Sequence, residues 1–183
     1  MLAQILIVVA VLIAILIVII ALRPSDFRVT RSATVAAPPE AVFAQVNDLR
    51  KWEAWSPWAK IDPAMKQTYE GPPAGVGAVS FWSGNNKVGE GRNTIIESRP
   101  NEAIRFKLEF FRPFKATNAA EFTFQPQGDQ TLVTWTMSGK NNFMVKAFGL
   151  FMNCDKMIGG QFEQGLAQLN SVVTAAAQKQ PVS

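Results

Sequence analysis

No histidine occurs among the 183 residues, and cysteine and tyrosine occur once each, as Cys154 and Tyr69. The absence of an imidazole removes Ser-His-Asp and Cys-His nucleophile systems, and with a single thiol it also removes the common zinc-ligand sets. One cysteine forms no disulfide within the chain. Its place before Asp155 and Lys156 fits a small apolar filler better than an activated thiol. The glycines of 71-GPPAGVGA-78 and 89-GEGRN-93 lack the Gly-Lys-Ser/Thr of a phosphate-binding loop and the helix-opening spacing of a dinucleotide fingerprint. They read as turn and bulge glycines, and no cofactor is expected. The formal charge of +4 is spread along the chain rather than gathered in a basic run, which argues against nucleic acid as a partner.

What is present in quantity is apolar. Residues 5–22, ILIVVAVLIAILIVIIAL, are uninterrupted by any polar side chain, and as a helix they cover about 27 Å, close to the hydrocarbon thickness of a bilayer. A cleaved signal peptide would carry a basic start, a shorter apolar run and a small-x-small cleavage site. None of these is found, so residues 1–22 are read as a membrane-spanning anchor. Arg23, Arg28 and Arg31 follow the span and no Lys or Arg precedes it, which predicts a single-pass protein of the cell membrane with its C-terminal part on the cytoplasmic side.

Pro24 ends helical hydrogen bonding, making residues 23–26 a linker, residues 27–178 a folded domain and 179–183 a tail. Period-two alternation predicts a first strand over 27–36, and the prolines of 38-PPEAVFAQVND-48 suit the first turn of a short helix. Six further strands are expected near 66–70, 77–82, 88–98, 103–111, 117–125 and 131–138. Ile104, Phe106, Leu108 and Phe110 alternate with Arg105, Lys107 and Glu109, the signature of a sheet dry on one face and wet on the other. The connections between these strands are too short for crossover helices, so the sheet is an antiparallel meander. Ile158, Phe162, Leu166, Leu169, Val173 and Ala176 then recur at helical spacing, giving one long C-terminal helix with one apolar stripe. The order is α+β, most simply a sheet curled around that helix.

Several pieces in this order carry a resemblance: Trp-x-x-Trp-Ser-Pro-Trp at Trp52 to Trp58, the Tyr69-Glu70-Gly71 and Gly75-Val76-Gly77 turns, Val88-Gly89-Glu90-Gly91, Arg112-Pro113-Phe114, the strand from Thr131 to Met137, and 162-FEQGLAQL-169. Together they resemble the START/Bet v 1-like (SRPBCC) superfamily in its polyketide cyclase/dehydrase-like branch. The resemblance implies a helix-grip domain, in which a seven-stranded antiparallel sheet wraps a long C-terminal helix and leaves a hydrophobic cavity between them. Activity varies widely within such a superfold.

Candidate ligand-binding residues follow from the inward phase of the strands and from the apolar stripes: Phe106, Leu108, Phe110, Phe122 and Trp135 on the sheet, Phe162 on the last helix, and Phe148 within 143-FMVKAFGLFM-152. Trp52 and Trp55, three apart, are expected to share one face of a short helix that Pro57 ends, packing it as a plug against the sheet. Trp58, in the loop beyond, is expected at the cavity entrance. The acid-base candidates are Glu90 and Arg92, two apart on one strand, and Tyr69. A buried pair would point to catalysis and an outer-face salt bridge would not. Three functions remain in view: a membrane-anchored domain binding a hydrophobic small molecule or lipid, a cyclase- or dehydratase-like enzyme, and an accessory subunit of a membrane protein complex. The missing histidine weighs for binding over catalysis.

Overall fold

The structure is a computed structural model that describes residues 1–150 and 153–178. Phe151 and Met152, and the expected tail at 179–183, lie outside the described residues. Helix α1 (Leu2–Leu22) is apolar except for Gln4 and ends where Arg23 turns extended before Pro24. Strand β1 (Asp26–Val35) follows at once, then α2 (Pro39–Asn47) with proline in its first turn, where a missing N–H costs nothing. A 3₁₀ helix spans Leu49–Ala54, its first turn capped by Asp48 Oδ1 accepting from the Arg50 amide at 3.0 Å. Here the structure departs from expectation: Pro57 opens a further short helix, α3 (Pro57–Ile61), so Trp58 stands in a first helical turn and not in a loop. The fixed φ of proline suits the start of a helix as well as the end of one.

Strands β2 (Lys66–Glu70), β3 (Val79–Ser83), β4 (Glu90–Arg99), β5 (Ala103–Arg112), β6 (Ala116–Gln127) and β7 (Gln130–Lys140) form the meander, within one to two residues of the expected spans at most ends. The order across the seven-stranded sheet is β1-β7-β6-β5-β4-β3-β2, every pair antiparallel. Helix α4 (Phe143–Phe148), capped by Asn142 Oδ1 accepting from the Val145 amide at 2.9 Å, is not among the expected elements. Helix α5 (Cys154–Gln178) closes the fold over 25 residues, with Asn153 Oδ1 accepting from the Lys156 amide at its start.

The architecture is therefore the α+β helix grip. Helix α5 runs parallel to β1. Arg31 reaches Asp155 in the first turn of α5 and Glu163 in its third at 2.9 and 2.8 Å, and further along Asn170 Oδ1 accepts from the Ala36 amide at 2.9 Å. Gly159 permits this approach, since the Arg31 guanidinium lies where a β-carbon at 159 would stand. The Arg31 bonds hold the Asp155 carboxyl below its ordinary range. Leu166, Leu169 and Val173 bury the helix stripe together with Val42 and Val46 of α2 and Val35 and Val133 of the sheet.

Candidate ligand site on the inner face of the sheet

Side chains alternate across each strand, so the inner face is best read as rows running from strand to strand. Two kinds of row emerge.

The rows under α5 and the tryptophan segment are filled. Arg31 pairs with Trp135, Trp135 with Phe122, and Phe122 with Ile104. The next row joins Val29, Met137, Ala120, Phe106 and Ile95. The Trp135 ring stacks on Phe162 of α5 at 4.1 Å between centroids and 7° between planes, and on Phe122 at 4.6 Å. Trp52 meets Phe106, Phe122 and Trp135 edge to face at 5.4, 5.9 and 6.2 Å, and tilts against Trp55 at 4.8 Å. These separations are those of close aromatic packing. Trp52 also donates from Nε1 to the Val46 carbonyl at 2.9 Å, so Trp52 and Trp55 act as the plug. Trp58 belongs to the same cluster, half-buried with its ring 5.6 Å from Trp135 and 6.4 Å from Phe162.

The rows nearer α1 differ. One runs Phe27, Gly139, Asn118, Leu108, Asn93, Ser80 and Tyr69, taking one residue from each strand. Beyond it lie Ala116, Phe110, Gly91, Trp82 and Gln67. Arg31 is level with Gly159 and Phe162, the sixth and ninth residues of α5, so these rows lie toward the start of that helix. Asn93 and Asn118 are 7 % and 9 % exposed, and the Oδ1 atom of each is buried without a hydrogen-bond partner. Buried polar atoms are rarely left in this state, because desolvation without a replacement bond is costly. Leu108 stands between the two amides and is half-buried, as are Phe110 and Trp82. Trp82 packs edge to face on Phe110 at 5.6 Å, and Gly91 makes room for it, since a β-carbon there would strike the indole and the Glu109 carbonyl.

Tyr69 ends the polar row. Its hydroxyl lies 2.7 Å from Gln67 Oε1 and 3.1 Å from Glu53 Oε1. Burial, then the bond to Glu53, raises its pKa well above that of a free phenol, so it stays protonated at any physiological pH. Glu90 and Arg92 alternate with the buried Gly91 and Asn93 and therefore face outward. Glu90 accepts from Arg112 Nε at 2.9 Å, while Arg92 pairs with Glu109 across the β4–β5 ladder, so the two candidates are not paired with each other. Bonds from Lys107 and Arg92 lower the Glu109 pKa. These are outer-face ion pairs of the ordinary kind.

The expected ligand contacts thus separate. Phe106, Phe122, Trp135 and Phe162 are buried in the aromatic stack, and Trp58 packs on it. Leu108 and Phe110 belong to the half-open rows. Phe148 lies on α4, exposed, with its ring 6.0 Å from Phe114. Asn93 and Asn118 are not among the residues singled out by sequence. Inward phase on their strands is a signal available for both, but nothing local marks them as neighbours of Leu108. Among the described residues no group of three or more His, Cys, Asp or Glu is placed to hold a metal ion.

A sheet wrapped on one long helix, with a polar row set into its apolar inner face, defines a helix-grip protein. A family model described as polyketide cyclase/dehydrase and lipid transport matches residues 26–174, and the chain belongs to that family. No curated protein matches it in sequence. Solved structures agree on the fold. A Thalictrum norcoclaurine synthase mutant, in complex with a transition-state analogue, superposes with a TM-score of 0.63 at 10 % identity, covering 85 % of this chain and 99 % of its own. A Thermus thermophilus protein gives 0.59 at 20 % identity, covering 82 % and 99 %. The major latex-like protein 151 of Panax ginseng gives 0.55 at 14 % identity, covering 80 % and 97 %.

Proposed function

We propose that the chain is a single-pass membrane protein whose helix-grip domain binds an amphipathic small molecule or lipid against the inner face of β4, β5 and β6. The observation that carries this reading is the pair of buried Oδ1 atoms without a hydrogen-bond partner, on Asn93 and Asn118, on either side of Leu108. A ligand with a hydroxyl or other donor would satisfy them, and its apolar part would lie along Leu108, Phe110 and Trp82. Membership of a family described as including lipid transport supports the ligand class. Helix α1 supports the anchor: it is long and apolar enough to cross a bilayer, and of its residues only Ile20 is buried against the domain. Binding is preferred to catalysis because Glu90 and Arg92 face outward and are each engaged in an ion pair on the outer face.

The test is photo-crosslinking of the full chain in membranes with diazirine-bearing palmitate. Adducts are expected on peptides from β4 to β6 as well as on α1. Adducts confined to α1 would reduce the reading to an anchor bathed in lipid.

The domain is proposed to face the cytoplasm, from the arginine asymmetry about α1. A reporter that works only in the cytoplasm, fused after Ser183, is expected to be active. Activity only of a reporter that requires export would reverse the orientation and assign Arg23, Arg28 and Arg31 to the domain alone.

A further inference from the structure

Eight large apolar side chains are exposed among the described residues after α1: Val76, Ile96, Phe111, Phe114, Phe143, Met144, Phe148 and Met157. The last six gather at one end of the domain. Phe111 and Phe114 flank the β5–β6 turn, Phe143, Met144 and Phe148 are on α4, and Met157 is in the first turns of α5. Val76 lies at the opposite end and Ile96 on the outer face of β4. Scattered apolar residues on a surface need no explanation, but a cluster of aromatic and methionine side chains does.

The same end receives α1. Lys146 Nζ of α4 donates to the Ala21 carbonyl at 3.4 Å, Ile20 is buried, and the Asn141 amide donates to the Ser25 carbonyl at 2.8 Å. The last turn of α1 is therefore fixed beside α4, and the three residues between α1 and β1 leave the domain no slack. Basic side chains outnumber acidic ones at this end. Arg23, Lys87 and Lys115 lie in its turns, Lys140 ends β7, Lys146 is in the last turn of α4 and Lys156 in the first turn of α5. The acidic groups nearby are Asp26, Asp62, Glu90 and Asp155, of which Asp62 accepts from the Asn85 amide in the turn that carries Lys87, Glu90 is engaged by Arg112 and Asp155 by Arg31.

We propose that this end of the domain is seated on the surface of an anionic bilayer. Phe114, Phe143, Met144 and Phe148 enter the headgroup region and the lysines meet lipid phosphates, as in interfacial segments that combine an apolar face with basic residues. The inference rests on α1 spanning that bilayer, and it deepens the proposed function: the half-open rows at Phe110 and Leu108 lie at the seated end, so a lipid reaches them without crossing bulk water.

The experiment is spin-label depth measurement on the full chain in nanodiscs. A Cys154→Ser background carries single labels at Phe114→Cys, Phe143→Cys, Ile96→Cys or Val11→Cys. In discs containing phosphatidylglycerol, the ratio of oxygen to nickel-chelate accessibility at 114 and 143 is expected to be several-fold above that at 96, approaching that at 11. Charge reversal of Lys115, Lys146 and Lys156 to glutamate should return 114 and 143 to the aqueous value while leaving 11 unchanged. Aqueous values at 114 and 143 with 11 embedded would overturn the seating alone. An aqueous value at 11 would overturn the anchor and the seating together. Equal seating in pure phosphatidylcholine would overturn the requirement for an anionic surface.

Discussion

Replacing Trp135 by alanine is expected to destabilise the domain by about 3–5 kcal/mol, the cost of removing a large aromatic side chain from a filled core. The residue is 3 % exposed. Its ring is sandwiched between Phe162 at 4.1 Å and Phe122 at 4.6 Å, with Trp52, Trp55 and Trp58 around its edges. It thus ties α5, the sheet and both short helices together, and no one neighbour can move in to close the gap. Urea denaturation of the full chain in nonionic micelles, followed by near-UV circular dichroism, should show the midpoint fall by about 1 M or more, given slopes of about 1–3 kcal/mol/M. Phe148→Ala is the reference: 49 % exposed, it should shift stability by no more than about 0.5 kcal/mol. A loss at Trp135 below about 1 kcal/mol would mean that these rows are a lined space and not a core, and would move the ligand site under α5.

Much of the architecture can be read from local patterns. The alternation of Ile104, Phe106, Leu108 and Phe110 against Arg105, Lys107 and Glu109 sets both the strand and its inner face, because a period of two leaves no other phase that buries the apolar set. The stripe from Ile158 to Val173 sets α5 in the same way, with a period long enough to repeat. Helix α4 has only six residues and gives no such repetition. Pro57 is ambiguous for a different reason, since one fixed φ serves both a helix end and a helix start.

The site is less legible. The same inward residues line a cavity or fill a core, and only the register between strands decides which. Asn93 and Asn118 are 25 positions apart, and they flank Leu108 only because β4, β5 and β6 pair as they do. Arg31 is inward by its alternation with Val29 and Ala33, a placement that alone looks like an error in the pattern. Its partners Asp155 and Glu163, 124 and 132 positions away, turn it into the clamp that holds the first turns of α5 against β1.

The Leu108 row is where the second large effect is expected. Leu108→Trp adds bulk between the two amides. If the space is kept for a ligand, the indole takes the ligand's place and occupancy falls several-fold with little change in stability. In a filled core the same substitution overpacks and costs about 1–3 kcal/mol. Native mass spectrometry of the full-length protein released from detergent, before and after organic extraction, separates the two outcomes. The account predicts a small amphipathic species bound to the wild-type chain, lost on extraction and largely missing from Leu108→Trp. A wild-type chain that carries no such species, together with a Leu108→Trp variant of unchanged mass profile and lowered stability, would contradict it.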